Sequence, residues 1–302
     1  MSEQKSAFIA IVGRPNVGKS SILNRILGQK VAIVSSKPQT TRNRIIGVHT
    51  NGDTQVVFID TPGLHKPHNS LGEYMVRSVN ESVGGVDACL LTAECNKLPG
   101  DTEKQLIARF KAQNIPAVLA LNKIDKLSDK SELMAIMAAY SQEYDFDDIV
   151  PVSAQTGSGI NDLLKALEKQ SSEGVHFFDD DALTDQPDRV LAAEIVREKI
   201  LRLTDKEIPH GAAVVVERFK QREESDAIDI DATIFCEREN HKGIIIGKGG
   251  AMLKKIGTFA RQDMERFFGC KVNLRLWVKV KEGWRDREDI LRAMGFDSSN
   301  FA

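Results

Sequence analysis

The sequence has no apolar run approaching the roughly 20 residues that a membrane-spanning helix needs. Its first residues carry one lysine, Lys5, ahead of six apolar residues, too short a pattern for a secretory leader. It is poor in cysteine, with four (Cys89, Cys95, Cys236, Cys270) and no C-x-x-C pair. That spacing excludes a zinc ribbon and a disulfide framework, and it predicts reduced core thiols in a cytoplasmic protein. It also lacks an excess of charge: Lys+Arg number 41 against 43 Asp+Glu, a net charge of -2. A protein basic throughout is thereby excluded, though local patches are not. There is no internal repeat.

What is present divides in two. A chain of 302 residues suggests two domains. Residues 1–172 hold 19 basic and 18 acidic residues, residues 173–240 hold 9 and 18, and residues 241–302 hold 13 and 7. The sharpest compositional break runs from Ser171-Ser172-Glu173-Gly174 through Asp179-Asp180-Asp181 to Asp188. We therefore expect a nucleotide-binding domain over 1–172, a linker over 173–189 and a second domain over 190–302. The acidic linker, on this reading, could dock on the basic end of the chain in one state and leave it in another.

Short apolar runs at 8–12, 55–59, 88–92, 117–121 and 149–151 alternate with helical patterns at 20–27, 72–83, 101–113, 131–144 and 159–169. Such alternation predicts an α/β domain with a mostly parallel sheet and helices on both faces. Residues 31–50 interrupt the rhythm. The second part reads as a small α+β domain with a three-stranded sheet: helix 191–203, strands 213–218 and 228–239, a helix pair ending in 252–268, strand 271–281 and a short helix near 285–294.

Gly13-Arg14-Pro15-Asn16-Val17-Gly18-Lys19-Ser20 fits G-x-x-x-x-G-K-[ST] and lies between a strand and a helix, where a phosphate loop must lie. Backbone N–H groups of Asn16, Val17, Gly18, Lys19, Ser20 and Ser21 can surround phosphates at the helix start. Lys19 adds a charge for the β- and γ-phosphates, and the Ser20 hydroxyl can ligate Mg²⁺. Asp60-Thr61-Pro62-Gly63 follows the next buried strand. Asp60 can hold the same magnesium through water, and Gly63 lets its backbone N–H approach the γ-phosphate. In Gln39-Thr40-Thr41-Arg42 a threonine is needed to reach Mg²⁺; Thr41 is chosen, with Thr40 second. Asn122-Lys123-Ile124-Asp125 and Ser153-Ala154 both follow strands, at the edge where open α/β sheets bind ligands. Asp125 can accept both N1–H and the 2-amino group of guanine, whereas adenine would leave that carboxylate facing an acceptor. Lys123 can cover the base plane, and the Ala154 N–H can donate to O6. The combination selects GTP over ATP.

Near the other end, Ile246-Gly247-Lys248-Gly249-Gly250 carries I-G-x-x-G ahead of a helix that bears Lys254 and Lys255. The glycines let backbone pass close to nucleic-acid phosphates, and residues 241–287 hold 12 basic and 4 acidic residues. With the predicted element order this segment resembles a type II KH domain, which grips about four single-stranded nucleotides. Trp277, Trp284 and Phe235 are candidate stacking platforms, with core packing as their ordinary role.

The motifs in this order resemble the translation-factor-related GTPases, and over essentially the whole chain they resemble the bacterial Era family. The resemblance implies GTP hydrolysis to GDP with Mg²⁺, binding of the 3′ end of 16S ribosomal RNA, a part in 30S subunit maturation, and peripheral association with the inner membrane by a monomeric protein. Lys19, Thr41, Gly63 and Asn16 would carry the hydrolysis. The family's hydrophobic substitution falls on Leu64, where Ras-like enzymes keep a glutamine, so slow intrinsic turnover is expected. In some relatives the asparagine matching Asn16 helps hold K⁺. A passive RNA-binding protein and a membrane-surface regulator are the competing readings. Loop residues His65 and His68 are expected to be solvated and not catalytic.

Overall fold

The computed structural model describes residues 3–37, 39–63, 69–127, 129–205, 208–223, 225–288 and 291. Leu64, His65 and His68 lie outside the described residues, as do residues 289, 290 and 292–294 of the expected helix at 285–294; at its start Trp284–Asp286 forms a single 3₁₀ turn.

The chain divides into two compact units. The first holds strands β1 (Lys5–Val12), β2 (Ile45–Asn51), β3 (Thr54–Asp60), β4 (Ala88–Glu94), β5 (Ala117–Asn122) and β6 (Asp148–Pro151) in the order β2-β3-β1-β4-β5-β6. Neighbours are parallel except β2, which runs antiparallel to β3. A two-residue strand, β7 (Ser172–Glu173), pairs antiparallel with the start of β1. Helices α1 (Lys19–Leu27), α2 (Ser70–Val83), α3 (Asp101–Gln113), α4 (Lys130–Glu143) and α5 (Ile160–Glu168) connect the strands. The central strands are apolar along their whole length because both faces are covered, and Ala88–Leu91 and Ala117–Leu121 are fully buried. The 31–50 segment that interrupts the sequence rhythm contains β2. Its hairpin turn, Gly52–Asp53, is short enough to force antiparallel pairing where all other connections are helical crossovers.

Residues 174–185, expected to be linker, belong to the first unit. The Phe177 and Phe178 N–H groups donate to Gln55 Oε1 at 2.8 and 3.0 Å, and Val48 N–H donates to the Leu183 carbonyl at 2.9 Å. Phe178 packs on Ile46, Val48 and Val57. β2 is an edge strand with unpaired backbone groups, and this segment covers it. Within it, Asp180 is held by His176, whose imidazole also meets the Asp53 carbonyl.

The second unit contains α6 (Asp188–Leu203), β8 (Ala213–Gln221), β9 (Ala227–Cys236), α7 (Glu239–Ile246), α8 (Ala251–Phe268) and β10 (Lys271–Val280). The sheet order is β10-β9-β8, with β10 parallel and β8 antiparallel to β9. Ile228, Ile230, Ala232, Ile234 and Cys236 alternate toward one face, where they pack against Ala192, Ile195 and Val196 of α6 and Ile256, Ala260 and Met264 of α8. Residues 33–37, 39–40 and 69–74 cluster with this unit and not with the first. Among the described residues no helix is long and apolar enough to cross a membrane.

Candidate functional site

The phosphate-loop residues run from β1 into α1 through backbone that few residues tolerate: Asn16 has φ 63° and Gly18 φ 105°. Lys19, 6% exposed, lies back along the loop, its Nζ donating to the Gly13 and Arg14 carbonyls at 3.1 and 3.0 Å. Burial draws its pKa down to about 8, against the opposing pull of Asp60. Ser20 Oγ donates to Asp60 Oδ2 at 2.6 Å and lies 2.9 Å from Thr41 Oγ1. Thr41 Oγ1 is itself 3.5 Å from Asp60 Oδ2. Three residues distant in sequence thus converge on one point. Thr40, the second choice, instead donates to the Lys37 carbonyl and meets Ser35.

Asp60 is fully buried, and its pKa is pushed up to about 6 by that burial, with Lys19 and the Ser20 and Thr41 hydroxyls opposing. Its Oδ1 is buried with no hydrogen-bond partner. A buried carboxylate oxygen without a donor, beside two hydroxyls, is a hard-oxygen set that fits Mg²⁺, which usually takes one or two carboxylates plus phosphates and water. Among the described residues no cluster of three or more His, Cys, Asp or Glu offers an alternative metal site. A methyl group at Gly63 would meet Pro15 Cα and N at 2.7 Å, so only glycine allows these two loops to approach so closely.

Asn122, at the end of β5, acts as a clamp. Its Nδ2 donates to the Val17 carbonyl at 2.8 Å, and its Oδ1 accepts from Lys123 N–H at 2.8 Å and Ala154 N–H at 3.0 Å. The Ala154 N–H expected to face O6 of the base is therefore directed to Asn122 here. Lys123 Nζ donates to the Asn16 carbonyl at 2.8 Å and pairs with Glu94. Ser153 Oγ donates to Asp125 Oδ1, orienting the carboxylate. Ser21 lies in the first turn of α1.

Two residues that sequence reasoning passed over brace this site. Arg14 Nε donates to Glu103 Oε1 at 2.5 Å; Glu103, from α3, is fully buried and also accepts from Gly100 N–H at 3.1 Å. Arg25 of α1 donates to the Ala154 and Gln155 carbonyls at 3.1 and 2.5 Å. Helical spacing could have put Arg25 on an exposed face, but no sequence signal links Arg14 to a glutamate 89 positions away.

In the second unit Gly247 ends α7 with φ 72°, and a Cβ there would lie 2.7 Å from Met252 Cβ. A 3₁₀ turn, Lys248–Gly250, leads into α8 with Lys248 and Gly249 exposed. Beside it is a groove of about 420 Å³ lined by Gly250, Leu253, Lys254, Gly257, Thr258, Arg261, Leu274 and Leu276. The structure brings Gly250 and Lys254 to this groove, while Ile246, half-buried, and Lys255, exposed, do not line it. Lys254, Thr258 and Arg261 share one face of α8 by their spacing of four and three, a signal the sequence held. Trp284 is fully buried, its Nε1 donating to the Gly211 carbonyl at 3.0 Å, which removes it as a stacking platform. In the same unit Arg197, 2% exposed, donates to the Thr40 carbonyl, and Arg202 Nη2 donates to the Val34 carbonyl at 2.9 Å.

The profile of the 50S ribosome-binding GTPase family matches residues 8–123, and that of the KH domain matches residues 207–285. GTPase Era of Clostridioides difficile is 47% identical over 293 residues, covering 97% of this chain and 99% of the relative. GTPase Era of Ruminiclostridium cellulolyticum is 50% identical over 295 residues, covering 98% of each. The chain belongs to the Era GTPase family. Two solved Era structures share its fold over 97% of its length at 39% identity: an Aquifex aeolicus variant bound to GDP and AlF4⁻, with a TM-score of 0.93, and Era in complex with MgGDPNP and nucleotides 1506–1542 of 16S ribosomal RNA, with a TM-score of 0.92. An Era-type architecture, a P-loop GTPase domain followed by a KH domain, accounts for both units described above.

Proposed function

We propose that this Era-family GTPase is a nucleotide-gated RNA-binding switch: it hydrolyses GTP to GDP and phosphate, binds the 3′ end of 16S ribosomal RNA through its KH groove, and assists 30S subunit maturation. The convergence of Ser20, Thr41 and Asp60 carries the reading. Ser20, Thr41 and Asp60 would hold Mg²⁺, which when bound supplies positive charge against the β- and γ-phosphate oxygens. Lys19 supplies a second charge, and the N–H groups of residues 16–21 and of Gly63 donate to phosphate oxygens. Asp125, oriented by Ser153, accepts from the guanine edge. Leu64 has no group to orient the attacking water, so the intrinsic rate is slow.

Gating is supported by chain continuity. Thr41 meets Ser20 in the first unit, while the residue before it, Thr40, is held by Arg197 in the second. A γ-phosphate that draws in Thr41 acts on a segment anchored to α6, and RNA affinity changes only as far as the two states differ in free energy. The RNA partner is supported by the Era complex with 16S nucleotides 1506–1542 and by the groove beside Gly250. Anionic lipid would be drawn to the same positive charge, but a flat cytoplasmic membrane face makes no use of a glycine loop beside a groove. A monomer in the cytoplasm is the working state.

RNA titration with GDP, a non-hydrolysable GTP analogue and no nucleotide tests the switch. A several-fold affinity difference between nucleotide states, lost in Thr41→Ala, is expected; equal affinities would favour a passive RNA-binding protein. We further assign K⁺ to Asn16 and the loop ahead of Thr41. Turnover several-fold faster in KCl than in NaCl at matched ionic strength is expected, and Asn16→Ala should erase the difference.

A further inference from the structure

Strand β10 carries two chemistries on alternate residues. Leu274 and Leu276 turn to the groove beside α8, while Lys271, Asn273, Arg275, Trp277 and Lys279 turn to the opposite face of the sheet and are all exposed. The helices of this unit pack on the groove side, and the outer side of β10 is open. Trp277 is 42% exposed, between Arg275 and Lys279, each about 7 Å away along the strand.

Carboxylates also stand on this face, and they bear on the reading. Asp231 lies 3.4 Å from Arg275 Nε, Glu217 lies 3.6 Å from Lys279 Nζ, and Asp229 holds Arg222 and Asn273. Asp229 and Asp231 sit on the central strand β9 and Glu217 on β8, the far edge, while Arg275 and Lys279 sit on the edge strand β10. Arg275 and Lys279 remain 53% and 58% exposed, and each has more N–H donors than its one ion pair uses. Basic residues on an edge strand ordinarily guard against strand-to-strand aggregation. That accounts for the cations but not for an exposed indole among them. A flat aromatic flanked by two cations is the arrangement by which proteins hold single-stranded nucleic acid, with the base stacked and phosphates beside it. Lys281, 5.7 Å from the Phe235 ring centre, extends the same pattern by one register step.

We propose that this outer sheet face is a second RNA-contact surface: an unpaired nucleotide stacks on Trp277 while Arg275 and Lys279 contact its flanking phosphates. The proposal rests on the reading that the KH groove binds RNA, and it adds a surface on the other side of the same strand. A strand of RNA longer than the groove's about four nucleotides engages both faces, whereas a groove-length strand engages one.

The test uses the full chain and two labelled oligoribonucleotides of unstructured A, C and U sequence, one of about four nucleotides and one roughly five times as long. Trp277→Ala is expected to weaken the long strand about tenfold and leave the short one unchanged, with Trp277→Phe restoring most of the loss. Arg275→Gln with Lys279→Gln should lower the salt slope for the long strand by about 1.4, two single-strand phosphate contacts. In Gly247→Asp the long strand should still quench exposed tryptophan emission. Long-strand affinity and salt slope unchanged in these variants, with the short strand still bound, would overturn the second surface alone. So would a dimer that Trp277→Ala dissociates without any change in RNA affinity, since the face would then join two copies. Failure of both strands to bind the wild-type chain would overturn the groove reading as well.

Discussion

Glu103 illustrates what a single buried side chain does for the phosphate loop. It is fully enclosed, and its charge is balanced by Arg14, which is part of that loop. Glu103→Ala should lower unfolding free energy by about 2 kcal/mol and raise the KM for GTP several-fold, with the preference for guanine over adenine intact; a denaturant melt and a nucleotide titration check both. On the proposed function, Asp125 controls that preference. An amide there presents one acceptor and one donor, matching a purine with N1–H beside a 2-oxo group. Asp125→Asn should weaken GTP at least about a hundredfold and strengthen xanthosine triphosphate, as competition binding would measure. Asp229 acts on stability instead. Hydrogen bonds from Arg222 first, then Asn273, hold its carboxyl well below the usual carboxylate range. A depressed folded pKa means that its contribution is complete above the unfolded value near about 4 and fades as pH falls below it. Asp229→Asn should therefore destabilise the chain at pH 7, and the gap to wild type should close in acid melts. Of these three, Asp125 is proposed from its motif, while Glu103 and Asp229 acquire their surroundings from partners that no local pattern names.

At the scale of elements, the phosphate loop and the I-G-x-x-G turn were both readable because their glycines are required by local backbone. Gly247 shows the limit of substitution: φ 72° disfavours any side chain, and a Cβ would press on Met252. Gly247→Ala should cost about 1–2 kcal/mol and reduce RNA affinity about tenfold, with GTP turnover unchanged in the same preparation. Strand β10 was readable as an alternation, but which alternate faces the groove depends on α8 packing against Leu274 and Leu276. Strand β2 escaped the sequence pattern because it is a polar-ended edge strand, joined to β3 by a tight hairpin instead of a helix. The segment after α5 escaped it for a related reason: Asp-rich and rhythmless, it has no internal periodicity, and Gln55 and the edge of β2 supply its hydrogen bonds.

For the whole molecule, composition and motif order determined the class of the fold, the nucleotide and the presence of two units, since each follows from local chemistry: apolar runs that must be buried, glycines that admit phosphate, a carboxylate that matches guanine. Tertiary structure decided what depends on groups far apart in the chain. It brought Ser20 and Asp60 to Thr41 and turned Thr40 to Lys37 and Ser35. It withdrew Trp284 from solvent and left Trp277 exposed, although both belong to the same basic stretch. It gave residues 174–185 to the first unit and residues 33–37 and 39–40 to the second, against their positions along the chain. The physical reason is common to all three. A side chain's surroundings are fixed by burial and hydrogen-bond partners contributed by distant elements, and those partners exist only once the elements have packed.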